Sequence, residues 1–248
     1  MAHDGVTIIT ATGERQAAFN LCWYYMSRQT VCQTETAVEW IIVDDGRTPT
    51  VCPSMSKPSS LQHWNIRYIR PETKWEPGLI TQGRNLLAAI EEASFSKIIF
   101  VEDDDWYSPE FLAFTAGMLD LAPIAGEGGA KYYNIATRQY QLMRNGAHAS
   151  LCQTGIRASM LPYLRHVIYS NAHYIDCELW QAARDVKLDA CLTFGPGLCV
   201  GMKGLPGRAG IGVGHKPQRS WSNDDKEMSK LSEWIGTDAE FYKPWCAN

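Results

Sequence analysis

Four short apolar runs, Val6–Thr10, Trp40–Val43, Ile66–Ile69 and Lys97–Val101, alternate with helical patterns through the first half of the chain. Each run is continuous rather than period-two, the mark of strands covered on both faces. Such strands alternating with helices build an α/β fold, a mostly parallel sheet with helices on both faces. One helical pattern opens at Gly13-Glu14 and carries Phe19, Leu21, Cys22 and Tyr25. A second, over Thr81–Ala93, puts Leu86, Leu87 and Ile90 on one face, and a third covers Glu110–Leu121 with Pro109 in its first turn. Residues 47–65, with Pro49, Pro53 and Pro58, read as a loop.

The second half is less regular. Lys131–Ala136 and Gln139–Met143 read as strands flanking a turn, and Ala149–Gln153 as another; Met160–Tyr169 and Ile175–Val186 read as helices. Residues 195–214 hold eight glycines, a density that suits a mobile closing segment. No repeat or linker intervenes, so residues 1–248 read as one domain in two lobes, 1–129 and 130–248. No apolar stretch approaches the ~20 residues of a spanning helix. Asp4, Gly5 and Thr7 stand where a signal peptide needs basic and then apolar residues. Eight cysteines without CxxC or Cys/His zinc spacing read as thiols of a reducing cytoplasm.

The chemistry concentrates after the fourth run, in Glu102-Asp103-Asp104-Asp105 followed by Trp106. Four adjacent carboxylates repel one another, and a divalent cation with a taste for oxygen, Mg²⁺ or Mn²⁺, offsets that repulsion. A solvated acidic turn capping the helix near Pro109 accounts for the same residues. In an open α/β sheet, ligands bind beyond the carboxyl ends of the strands. The Ala11–Arg15 loop, the Asp44-Asp45-Gly46 turn and the acidic run all leave such ends. Dinucleotide (GxGxxG) and P-loop glycine patterns are absent.

Val43-Asp44-Asp45-Gly46, Gly83-Arg84-Asn85 and Val101–Asp105 with Pro109 beyond, preceded by Ile8–Arg15, stand in that order over about residues 6–112. In this the chain resembles family-2-like glycosyltransferases of the GT-A fold. The resemblance implies a Rossmann-like sheet with a glycine-rich C-terminal lid, a nucleotide-sugar lobe in 1–129, and an acceptor lobe with the closing segment in 130–248. It implies that Thr10, Ala11, Thr12 and Arg15 line the donor, that Asp44 and Asp45 meet the base and ribose, and that Arg84 lies near the nucleotide. Glu102, Asp103 and Asp104 match the acidic motif, with Asp104 as metal ligand and Glu102 where the family has Asp. Tyr174–Trp180 matches the segment of the catalytic base, placing Asp176 as base and Glu178 in reserve. His215 at the end of Gly210–His215 would join Asp104 on the metal, while Lys216 and Arg219 face the donor diphosphate.

The implied activity is metal-dependent transfer of a sugar, with inversion, from a UDP-linked donor (UDP-glucose by default) to an acceptor hydroxyl. A nucleotidyltransferase would need a glycine-rich basic loop after the first strand, and Ala11–Arg15 is not one. A non-catalytic carbohydrate- or DNA-binding protein would not need four carboxylates at a strand end. Residues 130–219 carry 11 Lys/Arg against 4 Asp/Glu, a basic balance in a chain of net charge −4. Compact glycosyltransferases resembling this chain occur in bacteriophages, where some glucosylate hydroxymethylated bases. DNA modification in a host cytoplasm is therefore one expectation, with Arg138 and Arg144 on phosphates and Trp106 and Tyr107 stacked on a base or packed on a sugar. A saccharide or lipid-linked glycan is the other acceptor, the basic charge then serving the donor diphosphate.

Overall fold

The computed structural model describes residues 3–52, 59–210, 212, 214–216 and 219–246. The first half follows the expected alternation: β1 (His3–Thr12), α1 (Gln16–Ser27), β2 (Val38–Asp44), β3 (Asn65–Ile69), α2 (Gln82–Ile90), β4 (Phe95–Phe100), the short β5 (Trp106–Tyr107) and α3 (Phe111–Met118). The second half supplies β6 (Ile124–Glu127), β7 (Lys131–Asn134), β8 (Gln139–Leu142), β9 (Thr154–Arg157), α4 (Leu161–Tyr169), α5 (Ile175–Asp185), β10 (Ala190–Thr193), β11 (Cys199–Lys203), β12 (Ser222–Asn223) and α6 (Ser229–Ile235). A 3-10 segment, Gly236–Trp245, follows α6.

Seven strands form the main sheet in the order β10-β6-β9-β4-β1-β2-β3. All run parallel except β9, which is antiparallel to both β4 and β6, so the sheet is mixed. Residues alternate between two cores. Val6 and Ile8 of β1 join Phe19, Trp23 and Trp40 beneath α1, whereas Ile9 joins Leu86, Leu164 and Trp180 beneath α2, α4 and α5. Continuous apolar runs are what burial on both faces demands, and β2 is buried along its whole length.

A second sheet, β12-β8-β7-β11-β5, packs beside the first. The strand expected at Ala149–Gln153 is instead a 3-10 turn, Leu151–Gln153, leading into β9. Gly155 lies at the centre of β9 because α3 presses on it: a Cβ there would stand 2.9 Å from Thr115 and 3.0 Å from Leu119. Likewise β11 runs through the glycine-rich stretch, where the Tyr132 ring lies against Gly201. Part of that glycine content therefore serves close packing rather than motion. Pro53, Pro58, Ile211 and Val213 lie outside the described residues. Among the described residues no helix is long and apolar enough to cross a membrane.

Candidate active site

From β1 the chain steps to β2 and β3 on one side, while β4 takes the other, so a crevice opens between the carboxyl ends of β1 and β4. A cavity of about 510 Å³ lies there. Ala11, Thr12 and the Phe100–Asp104 strand end line its floor, the Trp75–Gln82 segment one wall, and the first turn of α5 with Asp176 another. Of the three strand-end loops read from sequence, Ala11–Arg15 and the acidic run line this cavity, whereas the Asp44-Asp45-Gly46 turn does not.

The acidic run is held from both sides. The Glu102 amide donates to the Tyr107 hydroxyl at 2.7 Å, fixing the turn back into β5. Antiparallel pairing of β5 with β11 then brings Lys203 beneath the turn. Asp103 accepts from Thr12 Oγ1 at 2.6 Å and Arg15 Nη1 at 2.8 Å, and Asp104 lies 3.2 Å from the same Arg15 nitrogen. Asp105 accepts from the Met202 amide at 2.8 Å and lies 3.4 Å from Lys203 Nζ, while its Oδ2 is buried without a hydrogen-bond partner. Glu102 accepts from Gln82 Nε2 at 2.8 Å. Two fixed cations thus sit among four carboxylates. Carboxylate oxygens of Glu102, Asp104 and Asp105 lie within 4.8 Å of one another, an all-oxygen set suited to a hard divalent cation. His215 lines the same cavity.

Burial works against ionisation of Asp104, but Arg15, Lys203 and His215 hold its carboxyl below the usual range. Burial, with Asp105 and Asp104 nearby, pushes Glu102 up to about 8 against the pull of Lys203. Burial likewise lifts Asp105 to about 6. Burial and the charge of Lys203 lower His215 to about 4, leaving its imidazole neutral and able to ligate. These shifts fix a stability profile. Glu102 binds a proton in the folded chain up to about pH 8 but only to about 4.5 when unfolded, so its contribution is full below 4.5 and is lost as pH rises through 8. His215 acts oppositely, adding stability with rising pH between about 4 and 6.5, which leaves the interval above 6.5 to Glu102. The metal-free protein is expected to lose thermal stability between pH 6.5 and 8, and Glu102→Gln to flatten that slope. A level wild-type profile in thermal unfolding would rule the shift out.

Several expected contacts are placed differently. Thr10 points to the opposite face from Ile9 and Ala11, where it accepts from Trp40 Nε1 at 2.9 Å, so it does not line the cavity. Asp44 is fully buried and organises the turn after β2, accepting from the Gly46 and Thr50 amides and Tyr68 and lying 2.7 Å from Arg70. Asp45, also buried, is engaged by Thr81, by Arg84 at 3.3 Å and by Arg208 at 2.9 Å. Both aspartates bear on the cavity through neighbours rather than by lining it. Arg208, which also lies over the Trp75 ring at 4.7 Å, is the basic side chain that reaches this end. Lys216 and Arg219 are exposed and do not line the cavity.

Trp106 and Tyr107 are 6% and 1% exposed, and Trp106 Nε1 donates to Asp238 at 2.8 Å. They anchor the acidic turn and cannot stack on an acceptor. Arg138 and Arg144 stand at opposite ends of the β7–β8 hairpin and neither lines the cavity, although Met143 and Asn145, flanking the exposed Arg144, do. Asp176 lies in the first turn of α5 facing the cavity, whereas Glu178, two residues on, is exposed outside it. Sequence reasoning did not single out Lys203 as a buried partner of the acidic run, nor Gln82 or His148 as cavity residues. Their only sequence signals were adjacency to a glycine-rich stretch or to a motif.

The 3-2-1-4 order of the parallel strands, with an acidic turn at the switch point, defines a GT-A type of fold. Residues 8–177, more than half of the chain, match the model for glycosyl transferase family 2, and the chain belongs to that family. Comparison with curated proteins gives no significant match. Among solved structures, S. aureus TarS 1–349 in complex with UDP-GlcNAc superposes with a TM-score of 0.55 at 14% identity, covering 93% of this chain and 71% of that one. The complex of TarS 1–349 with UDP gives 0.55 and 14%, covering 80% and 60%. A further structure of S. aureus TarS gives 0.54 and 13%, covering 80% of this chain, which spans 36% of that one.

Proposed function

We infer that the protein transfers a sugar from a nucleoside-diphosphate donor, UDP-linked by preference, to an acceptor hydroxyl with inversion. The observation that carries this reading is that Asp104 and Asp176 both line one cavity at the sheet's switch point. TarS, a fold neighbour, was solved with UDP and with UDP-GlcNAc, which supports a UDP donor. Asp176 takes the proton of the acceptor hydroxyl as its oxygen forms a bond to the anomeric carbon. The bond from that carbon to the diphosphate breaks on the opposite side, and the electron pair leaves on the nucleoside diphosphate. Arg15 and Lys203 hold the acidic turn in place while the diphosphate departs.

The oxygen set of Glu102 and Asp104, the unpartnered Oδ2 of Asp105 and the neutral His215 fit a divalent metal, Mn²⁺ or Mg²⁺. Asp104 and His215 would hold it, and when bound it supplies positive charge to the leaving diphosphate. The cavity is also lined by Asn145, His148, His173 and Tyr174, polar side chains that suit a hydroxylated acceptor such as a saccharide. Exposed Arg144 between two cavity-lining residues supports the second reading, hydroxymethylated DNA. A nucleotide-release assay over UDP- and GDP-sugars with Mn²⁺ or Mg²⁺ tests the donor. UDP release that fails in Asp104→Asn is the expected result, and no turnover or binding of any nucleoside diphosphate with metal present would sink the reading. Sugar transfer to hydroxymethylated DNA that weakens in Arg144→Glu would select the second acceptor.

A further inference from the structure

In the same cavity as the acidic turn, three side chains of different chemistry meet. His148 comes from the loop after β8, and Asp176 and Cys177 from the first turn of α5. One ligand atom from each lies within 4.8 Å of the other two, and all three residues line the cavity. Cys177 is a free thiol. Its Sγ stands 3.5 Å from His148 Nε2. Tetrahedral zinc with Zn–N of about 2.0–2.1 Å and Zn–S of about 2.3 Å places those two atoms about 3.6 Å apart. The observed separation, which a thiol–imidazole hydrogen bond holds in the free chain, is close to that of two ligands on one zinc ion. Arg184 of α5 donates to the carbonyl of Ala147, which ties the His148 loop to the helix carrying the other two residues.

We propose that His148, Asp176 and Cys177 form a zinc site, with the fourth position open to water from the cavity. Ligand softness separates it from the acidic turn: thiolate and imidazole select zinc, whereas the carboxylates of Glu102, Asp104 and Asp105 suit Mn²⁺ or Mg²⁺. Zinc on the Asp176 carboxylate occupies the oxygen that would accept the acceptor's proton, so the bound ion inhibits transfer. Binding itself does not depend on the proposed function; only the inhibition does, through Asp176.

The test uses the full chain carrying Asp104→Asn, which weakens competition from the oxygen cluster, with Co²⁺ as the spectroscopic probe and Zn²⁺ as the competitor. Expected is one equivalent of Co²⁺ giving a thiolate-to-cobalt charge-transfer band with tetrahedral visible bands, displaced by zinc. Cys177→Ser abolishes the band, and both Cys177→Ser and His148→Ala weaken zinc binding about tenfold or more, with circular dichroism showing each variant folded. A band that survives in Cys177→Ser, or disappears instead in Cys152→Ser, overturns the site, as does zinc uptake that both variants leave unchanged. In the otherwise unaltered chain, zinc added over excess Mn²⁺ blocks sugar transfer. Zinc bound at the site without that block keeps the site and overturns the role given to Asp176.

Discussion

Asp176→Asn lowers the turnover of sugar transfer by roughly 10²- to 10⁴-fold, the usual contribution of a positioned general base. Asn keeps the shape of the side chain and an oxygen for the Cys177 amide, which now donates to Asp176 at 2.9 Å, so the start of α5 is undisturbed. What disappears is the capacity to take a proton. Affinity for the nucleoside diphosphate stays within about twofold, because the substitution keeps the side chain's size and its hydrogen bond to the Cys177 amide. Glu178→Gln serves as the control: Glu178 is exposed and outside the cavity, and its replacement leaves turnover unchanged. Product analysis accompanies the rate, since a single base without a second nucleophilic carboxylate gives inversion. Full activity in Asp176→Asn would remove the base from this helix and with it the inverting mechanism.

The parts of this site that were legible in the sequence are those fixed by strand ends. A run buried on both faces, such as Trp40–Val43 or Lys97–Val101, announces itself by continuous apolar residues, and whatever polar cluster follows must sit at the sheet's edge. Asp103, Asp104 and Asp176, read in that way or by motif, all line the cavity. Contacts made by pairing between distant strands left no such mark. β11 hides among glycines and ends in Lys203; only its pairing with β5 brings that lysine to Asp105. Arg208 reaches Asp45 because Gly207, at φ +108°, packs against the backbone carbonyl of Glu14, and the Arg208 amide donates to that carbonyl at 3.1 Å. Trp106 and Tyr107 misled for the opposite reason. Aromatics beside a carboxylate cluster suggest a stacking platform, yet their pairing in β5 turns them into the core.

Lys203→Met carries the largest expected loss of stability, about 3–5 kcal/mol, the cost of leaving buried charge without its partner. Lys203 is 5% exposed, and its ammonium group lies 3.4 Å from Asp105 and sits over the Tyr132 ring at 5.6 Å. Burial alone would discharge it, but Asp105, Asp104 and Glu102 hold its pKa well above the ordinary lysine value. Methionine preserves the length and packing of the stem, so the change isolates the charge. With it gone, Arg15 is the nearest cation left to the acidic turn, and Arg15 contacts Asp103 and Asp104 rather than Asp105. The carboxylates then ionise less readily, so the loss is smaller at pH 5 than at pH 8. A divalent cation restores part of it by binding the folded state alone. Pairing the change with Asp105→Asn removes both partners and recovers much of the lost stability, since a polar group without an opposing charge costs less than a charge without a partner. Denaturant unfolding of the two single variants and the double variant measures the coupling. A loss below about 1 kcal/mol in Lys203→Met, or strict additivity in the double variant, would show that the lysine does not hold the acidic turn.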